Sequence, residues 1–116
     1  MEMTQSAPRR FADAYVETSN RGLYSELGEL FAEDAVFLGP NGQEFRGRDQ
    51  ITAFYVRFLS EITPTIRIAS YVEQGADCVY ELEAKTAGEA EYRLGAIDHA
   101  TLDDEGKVKR FTVWTK

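Results

Sequence analysis

Residues 92–102 read Tyr-Arg-Leu-Gly-Ala-Ile-Asp-His-Ala-Thr-Leu, and this stretch decides how the second half of the chain folds. Its even-numbered positions are apolar except for one carboxylate, Asp98, whereas Arg93, His99 and Thr101 occupy odd-numbered positions. Successive side chains of a β-strand point to opposite faces of a sheet, so this period of two predicts a strand with one buried face. Asp98 is therefore predicted to point into the interior.

The flanking segments continue this pattern. Apolar residues fill the even-numbered positions from Cys78 to Ala84, and further strands are predicted over residues 65–72 and 107–115. The stretches at residues 87–89 and 103–106 contain glycine and are typical of hairpin turns. The second half of the chain is thus predicted to form consecutive antiparallel strands.

The first half of the chain shows helical spacing instead. Apolar residues three and four positions apart predict a helix over residues 8–20 and a long helix over residues 47–62, which Pro64 ends. A shorter helix is predicted from Leu23 through Phe31, ending near Glu33 and Asp34. Residues 35–38 are predicted to form a short strand that reverses at the turn Gly39-Pro40-Asn41-Gly42.

This order of elements defines the fold class. Helices followed by hairpin-linked strands are typical of an α+β domain with its helices on one side of a largely antiparallel sheet. The length of 116 residues suits one domain, so we predict a single domain over residues 1–116, with residues 1–7 as a loose N-terminal tail.

Composition and charge exclude several classes of function. A net charge of −7 repels nucleic-acid phosphates, and no apolar run approaches the roughly 20 residues of a membrane span. The first residues also lack the pattern of a signal peptide, so we expect a cytoplasmic protein that binds neither nucleic acid nor membranes. Cys78 and His99 are the only cysteine and histidine, and no phosphate-binding loop is present. We therefore expect neither a metal nor a cofactor, and Cys78 is expected to be a buried apolar residue.

Asp98 is the residue that most needs an explanation. A buried carboxylate without partners is unfavourable. One interpretation is a structural aspartate that is hydrogen-bonded or left wet at the mouth of a barrel. The other is an acid–base group whose pKa is raised by burial, with Ala96 and Ala100 leaving room for a ligand.

Other residues are candidates for the same site. His99 points to the opposite face of a regular strand and is a secondary candidate, because a bulge would exchange the two faces. Tyr15 and Tyr55 lie on the apolar faces of two different helices, where they serve either as core residues or as hydrogen-bond donors to a substrate oxygen. The other residues expected to contact a bound molecule are Phe37, Phe54, Phe58, Tyr80, Leu82, Ala96 and Trp114.

Several blocks of sequence carry a resemblance to a known family. They are Phe-Ala-Glu-Asp-Ala-Val-Phe at residues 31–37, Gly-Arg-Asp-Gln-Ile at 47–51 leading to Phe54-Tyr55, Ile-Asp-His at 97–99, and Asp-Glu-Gly-Lys-Val at 104–108. From Tyr15 to Trp114 the chain resembles the nuclear transport factor 2-like superfamily, and within it the ketosteroid isomerases and the SnoaL-like polyketide cyclases.

The resemblance implies a cone, in which a curved and mostly antiparallel sheet wraps around helices as a cystatin-like α+β barrel, with a deep pocket and frequent homodimerisation. It also implies roles by position: Tyr15 matches the tyrosine that donates to an oxyanion, Asp98 matches a protonated aspartic acid beside it, and Tyr55 matches a supporting tyrosine. The chain departs from the isomerases at Gly39, where they carry a general base just before a proline. SnoaL-like cyclases are more similar, because they work with one aspartate.

Two classes of function follow from these observations. The first is a cofactor-independent acid–base enzyme, of isomerase, aldol cyclase or dehydratase type, that acts on a small hydrophobic molecule with a carbonyl group. The alternative is a non-catalytic module that binds a small molecule or dimerises, since one architecture hosts many functions.

Overall fold

The computed structural model describes residues 5–115, which form one six-stranded sheet and a set of helices. The helices are α1 (Ala7–Asn20), α2 (Tyr24–Leu27) and α3 (Arg48–Ile62). The strands are β1 (Phe31–Leu38), β2 (Glu44–Arg46), β3 (Thr65–Gln74), β4 (Asp77–Lys85), β5 (Arg93–Leu102) and β6 (Val108–Trp114). Short 3₁₀ turns cover Gly28–Leu30 and Pro40–Gly42. The α+β class is confirmed.

The sheet has the strand order β2-β1-β6-β5-β4-β3, and all neighbouring strands are antiparallel except β1 and β6. Register shifts interrupt four of the five pairings, at Ile68/Ser70 in β3 and Leu82/Glu83 in β4 among other places. Such bulges increase the local twist and bend the strands, so the sheet curves around the helices.

The core lies between the inner face of this sheet and the helices. Helix α1 packs against β3, β4 and β5, whereas α3 packs against β1 and β2. Aromatic rings fill the space between the layers: the centroid of Phe111 on the sheet lies 5.9 Å from that of Phe11 and 5.7 Å from that of Tyr15, both on α1. Buried aromatic side chains contribute a large apolar area each, so this cluster supplies much of the packing between α1 and the sheet.

Helix α1 begins earlier than the predicted loose tail allows. The Ser6 hydroxyl accepts a hydrogen bond from the backbone N–H of Arg9 at 3.2 Å, and Pro8 occupies the first turn, where its missing N–H is harmless. Ser6 and Ala7 therefore belong to the helix start, and residues 1–4 of the predicted tail lie outside the described residues.

The second helix is shorter than predicted. Helix α2 ends at Leu27, and Phe31 begins strand β1 by pairing with Val108. The Arg48 guanidinium donates two hydrogen bonds to the carbonyl of Phe31, at 2.9 and 2.7 Å, which holds this backbone in its extended form. Tertiary contacts thus override the helical spacing at Phe31. Its predicted burial is nevertheless confirmed, since the side chain is fully buried.

Candidate active site

A cavity of about 310 Å³ opens between helices α1 and α3 and the inner face of the sheet. The helices contribute Tyr15, Ser19, Phe54, Tyr55, Phe58 and Leu59. The sheet contributes Phe37, Leu82, Ala84, Ala96, Asp98 and Val113. Asp98 is the only acidic residue of this lining within the described part of the chain, and no basic residue belongs to it. The cavity is therefore apolar with few polar groups, which is typical of a site for a small molecule.

Asp98 points inward from β5 and is 1% exposed. Tyr80 of β4 and Val113 of β6 are its partners across the sheet. Neither Asp98 Oδ2 nor the Tyr80 hydroxyl has a hydrogen-bond partner among residues 5–115. Burial raises the pKa of Asp98 to about 8, and the neighbouring Tyr80 hydroxyl offsets only part of this increase. A carboxyl group with this pKa is mostly protonated at pH 7 and becomes a comparatively strong base when it ionises.

Tyr15 and Tyr55 bring two hydroxyl groups to the same cavity. Their oxygens are 3.0 Å apart, so one hydroxyl donates to the other, although the two residues come from different helices. Burial raises the pKa of both tyrosines well above the ordinary value, and negative charge on Asp98 raises both further. Both groups are therefore neutral and keep the protons that they could donate to a ligand oxygen.

The structure brings most of the predicted contact residues to the cavity. Phe37, Phe54, Phe58, Leu82 and Ala96 all line it. Tyr80 does not line the cavity directly and lies instead beside Asp98, where it is 1% exposed.

Trp114 lies outside the cavity, contrary to the sequence-based expectation. It is 51% exposed and pairs with Ile97 rather than with Asp98. The cause is a register shift: Leu102 pairs with Val108 but Thr101 pairs with Arg110, so one extra residue enters β6. An extra residue exchanges the two faces of the following strand, and Val113 occupies the inward position instead.

His99 also lies outside the cavity, because β5 alternates regularly at this point. Its Nε2 atom is 3.0 Å from Asp77 Oδ1, on the outer face of the sheet. Its secondary candidacy depended on a bulge next to Asp98, and the register of β5 with β4 and β6 continues unbroken from Ile97 to Ala100.

Gly39 occupies the position where the resemblance implies a general base, and the Gln43 side chain lies next to it. Gly39 has an ordinary extended backbone, with φ −91°. A Cβ atom at this position would lie 3.2 Å from Gln43 Oε1 and 3.3 Å from Phe37 Cε1. Gln43 also lines the cavity, so a neutral amide is found close to the place where a carboxylate would otherwise lie.

Three polar residues of the lining, Ser19, Gln43 and Thr115, are absent from the sequence-based candidates. Gln43 gives no periodic signal, because it lies in the loop before β2. Ser19 follows Tyr15 by four residues, so the helical spacing that places Tyr15 inward also places Ser19 inward. This i+4 relation is the signal that could have identified it.

Among the described residues, no cluster of three or more His, Cys, Asp or Glu side chains is placed to hold a metal ion. None of the helices there has the length and apolarity of a membrane span.

Comparisons with known proteins agree with this architecture. The model of a family described as SnoaL-like domain matches residues 12–111. No curated protein matches the chain.

Several solved structures share the fold. A provisionally named ketosteroid isomerase from Kribbella flavida DSM 17836 has a TM-score of 0.74 at 21% identity, covering 95% of this chain and 78% of that one. A provisionally named polyketide cyclase from Sinorhizobium meliloti has a TM-score of 0.76 at 16% identity, covering 90% and 94%. A computationally designed 17-OHP binder has a TM-score of 0.80 at 15% identity, covering 97% and 93%. At these identities the similarity establishes the fold alone.

Proposed function

The chain belongs to the SnoaL-like domain family, and we propose that it is a cofactor-independent acid–base enzyme that moves a proton next to the carbonyl group of a small apolar molecule. The observation that supports this proposal is the placement of Asp98. It is the one carboxyl group in the described lining of an apolar cavity, and burial raises its pKa to about 8. Isomerisation, aldol closure and dehydration all begin with this type of proton transfer.

In the proposed mechanism Asp98 carries the proton in both directions. The ionised carboxylate removes a hydrogen from the carbon next to the carbonyl, and the electron pair of that C–H bond becomes the enolate. The protonated Asp98 then returns the proton to a carbon of the enolate. A single residue serves as base and then as acid, so the absence of a carboxylate at Gly39 does not prevent the reaction.

Tyr15 stabilises the enolate in this mechanism. A hydroxyl that keeps its proton can donate to the developing oxyanion, and donors of this kind contribute most in a site that excludes water. Tyr55 holds the Tyr15 hydroxyl through the 3.0 Å hydrogen bond between them. The rings of Tyr15 and Tyr55 are packed in the buried core, so the donor is held in position before a ligand binds.

Hydrogen exchange tests the proposal without knowledge of the natural substrate. We expect the protein to accelerate the exchange of α-hydrogens of 2-tetralone, a neutral fused-ring ketone, for deuterium, as measured by NMR. The rate should rise with pH and level off above about 8, because it follows the ionised fraction of Asp98.

The variant Asp98→Asn completes this test. We expect it to exchange about 10²-fold to 10⁴-fold more slowly, the range typical of a lost acid–base group. A rate that falls above pH 8 would show that the protonated carboxyl group is the active form, and it would contradict the mechanism in which ionised Asp98 removes the proton. Equal rates in wild type and variant would remove Asp98 from the mechanism.

The alternative is a binding module without chemistry, and the replacement of a carboxylate by Gly39 and the Gln43 amide favours it. The designed binder of 17-OHP has the same fold, so the architecture suffices for binding. This alternative predicts that 2-tetralone binds without any acceleration of exchange, in wild type and Asp98→Asn alike.

A further inference from the structure

Ser19 is a buried polar residue that the proposed mechanism does not use. It is 2% exposed and lies on α1 one turn after Tyr15, in the lining of the same cavity. Other hydroxyl groups in helices of this protein donate to the carbonyl four residues earlier, as Thr52 does to Arg48 and Ser60 does to Val56. Within residues 5–115 the Ser19 hydroxyl makes no such hydrogen bond.

Ser19 shares an apolar part of the cavity, and the end of its helix is anchored. Leu59, Pro64 and Ile66 line the cavity with it. The next residue, Asn20, ties the end of α1 to β3, because its side chain both donates to the carbonyl of Ile66 and accepts from its N–H, each at 2.8 Å. The end of the helix is therefore anchored, and the Ser19 hydroxyl, which lines the cavity, pairs with no protein group among residues 5–115.

A hydroxyl that lines an apolar cavity without a protein partner takes its partner from the cavity, either water or a bound molecule, whereas an alanine would need none. A polar side chain that is buried, unpaired and directed into a cavity is explained if a bound molecule supplies the partner. The polar group that pairs with Ser19 must be neutral. The described lining has no basic side chain to balance an anionic ligand group, and its only carboxyl group, which could balance a cationic one, is that of Asp98.

We propose that Ser19 is a specificity residue that hydrogen-bonds a second polar group of the substrate, a hydroxyl or carbonyl oxygen separate from the carbonyl that meets Asp98 and Tyr15. This inference rests on the proposed site, but it concerns binding and not proton transfer. It narrows the substrate class from any apolar carbonyl compound to neutral apolar carbonyl compounds that carry a second oxygen function.

Matched ligands test this proposal by binding alone. The probes are 2-naphthol, the naphthalenediols that carry a second hydroxyl at each ring position, and the naphthols that carry a methyl group there instead. Their fluorescence reports binding to wild type and to Ser19→Ala. We expect at least one diol to bind wild type about 5-fold to 10-fold more tightly than its methyl counterpart, since one hydrogen bond contributes on that scale.

The preference should disappear in Ser19→Ala, while the affinity of 2-naphthol stays unchanged. Thr115→Val is the control, because Thr115 lines the cavity but is exposed, and this variant should keep the preference. A structure of the bound diol should place its second hydroxyl about 2.6 to 3.2 Å from Ser19 Oγ, which tests the contact even if the variant folds poorly. Absence of any preference in wild type, or its persistence in a folded Ser19→Ala, would overturn the proposal.

The outcome is separate from that of the proposed function. The same titrations in Asp98→Asn need no turnover. The tighter binding of the diol, which depends on Ser19, can therefore be observed even if the exchange assay shows no activity. The exchange of 2-tetralone, which has no second oxygen, can likewise hold where the Ser19 preference fails.

Discussion

The two faces of the sheet hold carboxyl groups with opposite properties. On the inner face, Asp98 is buried in an apolar cavity, and burial raises its pKa to about 8. On the outer face, Asp77 lies near the start of the adjacent strand, with its side chain about half exposed. Hydrogen bonds from Thr101 and His99 lower the pKa of Asp77 below its usual value.

The difference shows that strand position alone does not decide how an aspartate behaves. Asp77 has donors and water around it, so its charged form is stabilised. Asp98 has small alanines beside it and a tyrosine opposite, so its charged form is disfavoured. The carboxylate that forms there is therefore a stronger base than an exposed one. The contrast supports chemistry on the inner face and a structural role on the outer one.

The largest expected effect concerns the stability of Asp98→Asn as a function of pH. In the unfolded chain Asp98 loses its proton near its ordinary pKa of 3.8, whereas in the folded protein it keeps the proton up to about pH 8. Wild-type stability therefore falls across this window, because the unfolded state binds fewer protons. Asparagine does not titrate, so the stability of the variant relative to wild type should rise between pH 3.8 and pH 8. The rise in the free energy of unfolding is on the order of 5 kcal/mol at most.

Urea unfolding of both proteins at pH 5, 7 and 9 measures this effect. The difference in free energy of unfolding should grow from pH 5 to pH 9. A difference that stays constant would mean that Asp98 is ionised in the folded protein throughout, and the contrast between the faces would be lost.

A smaller effect is expected for Tyr15→Phe. Removal of one oxyanion donor lowers a rate by about 10²-fold to 10³-fold. The exchange of 2-tetralone should slow by that factor with the pH midpoint retained, because the base is still present. Tyr71→Phe is the matched control, since the Tyr71 hydroxyl donates to Glu73 at 2.8 Å outside the cavity. Equal slowing by both substitutions would indicate a general loss of packing.

The smallest effect is expected for Asp77→Asn. The lowered pKa means that Asp77 stabilises the fold above its unfolded-state pKa, and that this contribution is lost as the pH falls through its folded-state pKa. The sign is thus opposite to that of Asp98. Exposure to solvent limits the change to below about 1 kcal/mol. Urea unfolding of wild type and Asp77→Asn at pH 5 and at successive pH values below 4 checks this, because the difference should shrink as the pH falls. A measurable loss of exchange activity in Asp77→Asn would contradict the assignment of chemistry to the inner face alone.

The local patterns predicted the inner face well where the strand is regular. The alternation of residues 92–102 placed Asp98 inside and His99 outside, and the spacing in the first and third helices placed Tyr15 and Tyr55 inside. Each of these predictions used only the period of the element. No distant contact was needed to make them.

The errors arose where distant contacts change that period. The extra residue in β6 turns Trp114 outward, and it is visible only in the pairing with β5. Phe31 leaves the helix because Val108 and Arg48 hold its backbone, and both lie far away in the sequence. The Tyr15–Tyr55 hydrogen bond and the unpaired Ser19 hydroxyl likewise depend on how two helices meet the sheet, which no local pattern contains.

The pKa of Asp98 is the most direct test of the account. Protein labelled with ¹³C at the aspartate side-chain carboxyl carbon gives one NMR signal per residue, and the Asp98 signal is the one missing from Asp98→Asn. We predict that this signal titrates with a midpoint near 8, so that the group is protonated at pH 6. A midpoint near 4 would contradict the account, because the cavity would then hold a permanently charged aspartate.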